Sequence, residues 1–429
     1  MISPKRLMVE GLVFVFVLAM FIPFSKSEQP LTILGQNNPS VDVQAIQTAV
    51  DQGGAILLKG TFDFGDKGRI NIRKDVKIVG ENDGNNTPVT KIKGGFWTFH
   101  SPLPAKLPPE IPGPKITIQS IRFDGALWCP IHLAYSSGTV IIGNKITNVR
   151  PILSPFPIFG KEGLNTQQGI ICSPRYAQPT APQKFQQGAF TGILTIADNE
   201  IDMLNEEPVK TMAQGVLVIW TTGVTAQILR NTIFHCSRNS VEVLDNYLSE
   251  DGRGLVVIQG NKIVTSQMGL PVPTPGTPNG ILAGWFVDMS GGADPKRNIK
   301  HIILHNAIRV RGQTSGGIIS FTDGAVIESN ALAAENQGSI AIFSASSNSY
   351  IAQNKIEGIG GHGLMVRPWG PLKGTNNLLV NNDFTSFKAT AVDVSLDKGA
   401  NNNVLFGKGG TIKDFGSGNQ ITGLKPLTK

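Results

Sequence analysis

Carboxylates crowd two short stretches of the chain. Glu242, Asp245, Glu250 and Asp251 fall within about ten residues of one another beside Arg253, and Asp202, Glu206 and Glu207 gather in an earlier turn. Acids grouped in this way can hold Ca²⁺ through oxygen, or divide the roles of general acid and general base. The plainer expectation is a solvated acidic loop balanced by Arg238 and Arg253. Trp220, Trp285, Phe286 and Trp369 each follow a short apolar run, and Arg367 lies just before the last. They offer flat faces and a cation for sugar rings, or equally a seat for neighbouring loops. His362 stands between two glycines as a weaker catalytic candidate or a turn residue. His301 and His305 flank the strand-like Ile302-Ile303-Leu304, where residues four apart lie about 13 Å apart, too far for a metal pair. No Ser/His/Asp arrangement, phosphate-cradling glycine loop or Cys/His metal spacing stands out. Cys129, Cys172 and Cys236 are widely separated and read best as buried apolar residues, although one pair could bridge in an oxidising compartment.

The elements that must carry these groups show as a repeat. Asn followed two residues later by an apolar residue recurs at Asn144, Asn199, Asn231, Asn261, Asn306, Asn330, Asn354, Asn382 and Asn419. Most are followed by a small residue and an apolar-x-apolar triplet, as in Gly215-Val216-Leu217-Val218 and Ser240-Val241-Glu242-Val243. Each piece is a short strand with alternate residues inward. The Gly, Asn and Ser between them suit tight bends, and no 3.6-residue amphipathic period intervenes. Short strands recurring every 22–28 residues or so make a solenoid. An Asn at a fixed place in each coil can bond the Asn of the next and tolerates a left-handed bend. Apolar spacing over Val41–Val50, with Ser40 as N-cap, predicts a helix at about 40–52 that covers the open first coil. Pro-rich insertions are expected at about 99–115, 150–190 and 265–279.

Composition fits this picture. Charged residues make up only 16% of the 429 and hydrophobic ones 40%, against a usual charged share of about 25%, which argues against disorder. Gly at 49 positions points to many turns. The net charge is +7. That suits an acidic polysaccharide or anionic surface, while the lack of a basic cluster interleaved with aromatics excludes a nucleic-acid partner. Lys5 and Arg6 precede an apolar run from Gly11 to Phe24, with small Ser25 and Ser27 after it. The run is short for a spanning helix, which needs about 20 residues, so residues 1–27 read as a secretory signal peptide and 28–429 as a single domain. A secreted or periplasmic location follows, with membrane anchoring by residues 11–24 as the alternative.

The run from Ile46 to Val50, then Gly53-Gly54-Ala55-Ile56-Leu57-Leu58-Lys59-Gly60-Thr61-Phe62, then Val76-Lys77-Ile78-Val79-Gly80, resembles the opening segment of right-handed parallel β-helix proteins of the pectate-lyase-like superfamily. The resemblance implies an all-β solenoid of about 10–11 coils and covers about residues 41–424. It leaves function open among lyases, hydrolases, tailspikes and adhesins. Gly361-His362-Gly363 is similar to the Gly-His-Gly signature of polygalacturonases. The acids that family uses would fall at Gln337-Gly338-Ser339 and Thr314–Gly317, and its basic pair at Asp393 and Ser395, so none is present. A pectate-lyase site would need acids on the outer strand face. Aligning the triplets places Glu242 and Asp393 there, five coils and roughly 24 Å apart. Ala341 falls on the same file, and Phe343, Arg367 and Ser395 on the next; most of the face is apolar. The expectation is therefore a secreted β-helix that binds polysaccharide or a cell-surface glycan and lacks a family active site, with Ca²⁺ as a possible cofactor. The alternatives are a divergent polysaccharide lyase or glycoside hydrolase, and a scaffold that self-associates through its apolar outer face.

Overall fold

Alternating Ile, Val and Leu make the short strands, and residues able to take a left-handed bend end them. The computed structural model describes residues 29–105, 111–155, 161–173, 190–219, 224–244, 253–270, 278–284, 298–312, 314–370 and 372–427. Three parallel sheets run the length of the molecule. Sheet A stacks Ile131–Leu133, Asn165–Cys172, Thr211–Ile219, Asn239–Leu244, Asn279–Gly284 and Gly316–Phe321 in turn. Sheet B stacks Gly138–Ile142, Gly192–Ala197, Val224–Leu229 and Arg253–Gln259. Sheet C stacks Lys145–Thr147, Glu200–Asp202, Thr232–Phe234 and Lys262–Val264. The chain passes from B to C to A and climbs one level per coil, giving a right-handed parallel β-helix. Stacking extends beyond the repeat at both ends, from Leu31–Leu34 to Lys425–Pro426. Near the far end Lys355–Val366 runs through sheets C and A as one strand, with β-bulges in place of a corner.

The core is a set of inward files. Ile131, Ile170, Val216, Val241, Ile281 and Ile318 occupy successive levels of sheet A, all fully buried. Each such side chain contributes about 1.5–3 kcal/mol. The small residue before each is required by close approach. A Cβ on Gly215 would lie 2.5 Å from the Ser240 carbonyl oxygen and 2.6 Å from Cγ2 of Ile233.

At the B-to-C corner the repeated Asn residues form a ladder. Asn231 accepts from the backbone N–H of Asn199 at 3.1 Å and from its Nδ2 at 2.9 Å. It donates to the Ile196 carbonyl at 2.9 Å and to Oδ1 of Asn261 at 3.0 Å. The pattern runs from Asn144 to Asn382. The residue before each is left-handed, among them Asp198, Arg230 and His305. Asn419 does not join. It accepts from Asn403, which accepts from Asn377, at the corner between sheets A and B. Its triplet signature is the same because both corners precede a strand and ask the same of an Asn.

The predicted helix is Pro39–Gln52, but its N-cap is Asn38, whose Oδ1 accepts from the N–H of Ser40 at 3.0 Å. Pro39 suits the first turn, where a missing N–H costs nothing. Buried Asp42 ties the helix to the first coil, accepting from the N–H groups of Gln36, Asn38 and Asp63, each at 2.8 Å. Two expected insertions hold regular structure. Phe99–Ser101 is a sheet A strand, so the first insertion starts after it. In the 150–190 region, Ile152–Leu153 pairs antiparallel with the start of Asn165–Cys172. Among the described residues no helix is long and apolar enough to cross a membrane. Residues 1–28, including the proposed leader, lie outside them.

Candidate functional site

The outer face of sheet A positions the groups with chemistry. At its first levels His100 and His132 stand on neighbouring strands, their rings stacked with centroids 5.0 Å apart and planes 11° apart. Trp97 lies over both, 4.1 Å from His132 and 4.9 Å from His100 between centroids, and Trp128 packs on Trp97 at 5.0 Å. The Arg69 guanidinium sits 4.8 Å from the Trp97 ring and 5.0 Å from that of Phe96. Burial pulls the His100 pKa down to about 4; its hydrogen-bonding contact with the His132 carbonyl opposes this, and Arg69 and Arg73 add to it. His132 is held well below the usual range by burial first and by His100 next. Neither ring nitrogen of His132 makes a well-formed hydrogen bond, although the Ser173 backbone lies near. The triplet pattern in the sequence starts the outer file at His132, so it does not reach this cluster. The available signal is Phe99-His100, an inward apolar residue followed by an outward histidine as in Ile131-His132, although Ser101 breaks the apolar-x-apolar pattern.

Further along, Glu242 occupies the outer position between Leu217 and Leu282. Its carboxylate accepts from Nε2 of Gln214 and from Nδ2 of Asn239, the latter at 2.5 Å. Amides continue on either side: Gln168 donates to Gln214 at 3.4 Å, and Asn279 donates to Asn239 at 2.7 Å. All four amide residues are buried, as is Arg238. Burial lowers the Arg238 pKa, and the nearby Glu242 opposes that. Asp245, Glu250 and Asp251, expected beside Glu242, lie outside the described residues, as do Trp220 and Trp285. The Asp202 turn does not reach Glu242. Asp202 meets Nδ1 of His235 at 2.7 Å, and Glu207 pairs with Lys210 at 3.2 Å. No group of three or more potential metal ligands occurs among the described residues.

The last levels hold Trp369, Arg367 and His362. Trp369 leans on Phe321 and Phe343, with centroids 6.2 and 6.3 Å away, and closes a tight turn with Leu372 through mutual backbone hydrogen bonds of 2.9 and 3.1 Å. Arg367 donates from Nε to Asp397. Burial lowers the His362 pKa; Asp397 opposes this, and Arg367 and Lys413 add to it. His362 is four strand levels from Asn239, which puts it about 19 Å from the Glu242 cluster and outside any shared site.

Two expected outer residues are elsewhere. Ile319 pairs with Phe343 rather than Ala341, and Met365 with Ser395 rather than Asp393. Asp393 is instead buried one step earlier on the strand Leu378–Leu396, where it accepts from the Thr411 N–H at 2.7 Å and hydroxyl at 2.9 Å. A slip of two residues keeps every inward residue inward, so alternation cannot detect it. The apolar outer face expected to meet a second copy is already covered: Leu217, Ile319 and Phe343 are at most 2% exposed. All three cysteines are buried free thiols, with burial pushing Cys236 up to about 12 and the other two higher.

Solved structures share this architecture. The surface adhesin PfbA of Streptococcus pneumoniae matches with a TM-score of 0.52 at 12% identity, over 86% of this chain and 93% of that one. Tailspike protein 3 of bacteriophage CBA120 matches with a TM-score of 0.55 at 9% identity, over 99% of this chain and 65% of that one. At these identities the likeness is one of fold. No protein-family model matches the sequence, and no curated protein matches it either.

Proposed function

We propose that this is a secreted β-helix protein that binds a polysaccharide or cell-surface glycan without turning it over. One observation carries the reading. Glu242, the acid at the centre of the outer face, is engaged by a file of side-chain amides from neighbouring coils. The amides are buried and fix the partly exposed Glu242 carboxylate in one orientation, where its remaining lone pairs can accept from the hydroxyls of a sugar chain. Inverting hydrolysis asks instead for two opposed carboxylates about 6.5–9.5 Å apart. Similarity of fold to an adhesin and a tailspike accords with a role at a surface, as analogy alone.

The test is a glycan array on the mature protein, with and without Ca²⁺, followed by mass spectrometry of every bound glycan. Binding that leaves the glycan intact supports the reading. Shortened or unsaturated products replace it with the lyase or hydrolase alternative, and dependence on Ca²⁺ would bring in Asp245, Glu250 and Asp251 as oxygen donors beside Glu242. N-terminal sequencing of exported protein is expected to start at Glu28. Light scattering is expected to show a monomer, since the apolar face is covered within one chain.

A further inference from the structure

The outer face of sheet A comes to the surface at its last levels, and there its chemistry changes. One outward file passes from Met365 to Ser395 to Lys413. The next passes from Arg367 to Asp397 to Phe415, because the Asp397 N–H bonds the Val366 carbonyl and the Phe415 N–H bonds that of Leu396. Phe415 is 56% exposed and the Arg367 side chain 47%. Trp369 is half-buried, with Phe343 and Phe321 behind it, one and two levels below Arg367. Cations outnumber acids: Arg367 and Lys413 lie on the strip and exposed Lys373 and Lys398 flank it, against Asp397 on these two files and exposed Asp414 between Lys413 and Phe415. Asp397 also accepts from the Ser395 hydroxyl at 2.9 Å, so it is braced from two sides and orients the Arg367 fork.

We propose that this strip, from Trp369 past Arg367 and Lys413 to Phe415, binds an extended anionic glycan, with carboxylates or sulfates on the cations and ring faces on the aromatics. The inference rests on the glycan-binding reading and assigns it a ligand class and a place. Each level rises about 4.8 Å, close to the length of one pyranose unit, so a sugar chain lying along the rod meets one level per residue. Aromatic faces suit the C–H faces of sugars, and unpaired positive charge selects an acidic chain.

The experiment is calorimetric titration of the full mature chain with oligogalacturonate, with its methyl-esterified form, and with a heparin-derived oligosaccharide, at low and moderate salt. At least one acidic probe is expected to bind, weakening with salt, and the esterified chain to bind at least tenfold more weakly than its acidic form. Lys413→Glu should weaken the acidic ligand at least tenfold with unchanged thermal melting. Trp369→Ala should weaken it as much while lowering the melting temperature, because its packing on Phe321 and Phe343 is lost. Lys262→Glu on sheet C should leave binding unchanged. The two acidic probes separate carboxylate from sulfate recognition. Equal binding of the esterified and acidic chains overturns the anionic class and leaves glycan binding standing. Acidic binding unaffected by both strip variants overturns the place. A short single-stranded DNA that binds as tightly as the saccharides overturns sugar recognition here. Absence of binding by every acidic probe overturns the proposal, while hits for neutral glycans on the array would still sustain the broader function.

Discussion

The imidazole of His132 stacks on that of His100 with 5.0 Å between centroids, both buried on the outer wall of the helix beneath Trp97. Because burial disfavours the imidazolium, the folded chain keeps both rings neutral, and His100 takes a proton only near pH 4. In the unfolded chain each would take one near pH 6.5. Unfolding therefore absorbs protons below pH 6.5. The contribution is fully present above that value and is lost as the pH falls toward 4, with His100 alone accounting for about 3 kcal/mol. Urea titrations at steps from pH 7 to pH 4 should show this decline, and His100→Leu should flatten it. A slope unchanged by that variant would assign the acid sensitivity to other groups.

Replacing Asn261 by Ala should destabilise the molecule by about 3 kcal/mol or more. The change removes the acceptor for both donors of Asn231 and the donor for the Ile228 carbonyl, all at buried positions. Asn419→Ala, at the partly buried end of the other ladder, should cost less than half as much. Thermal and urea denaturation of the two variants would rank them, and equal losses would refute the ladder account.

Loss of the Asp42 carboxylate should loosen the N-terminal cap before anything else. Asp42→Ala leaves three backbone N–H groups without their acceptor, at about 1–3 kcal/mol for each that stays dry. Hydrogen exchange is expected to rise at Ile46, Ala49 and Val50 while Ile258 and Ile303 remain protected. Uniform acceleration along the rod would show that cap and coils open together.

Glu242→Ala is expected to lower stability by about 2 kcal/mol, since it strips an acceptor from the amides of Gln214 and Asn239. Glu242→Gln should retain most of the stability but weaken glycan binding on the array. A Gln variant that is more stable than the parent would point instead to a carboxylate held under strain for chemistry.

Much of the architecture was legible because a β-helix repeats its physics. Gly215 and Ser240 mark the same close approach one level apart, and Val216 and Val241 the same inward file, so a short pattern reports the fold many times. The site was less legible. Glu242 could be placed on the outer face, but nothing local revealed that Gln214 and Asn239 would engage it. Arg367 and Trp369 could be singled out by type, whereas Lys413 and Phe415 had no distinguishing neighbours in the chain.

The sequence by itself determined the coil, the sides of its strands and the Asn positions, because alternation and turn chemistry act over a few residues. Only the tertiary structure decided which levels meet. Whether Ala341 or Phe343 stands beside Ile319, whether Asn419 joins Asn382 or Asn403, and whether His100 reaches His132 all depend on the lengths of the bends between strands. A bend two residues longer preserves every inward side chain while moving every outward neighbour, so the core is blind to the difference and the surface is made by it.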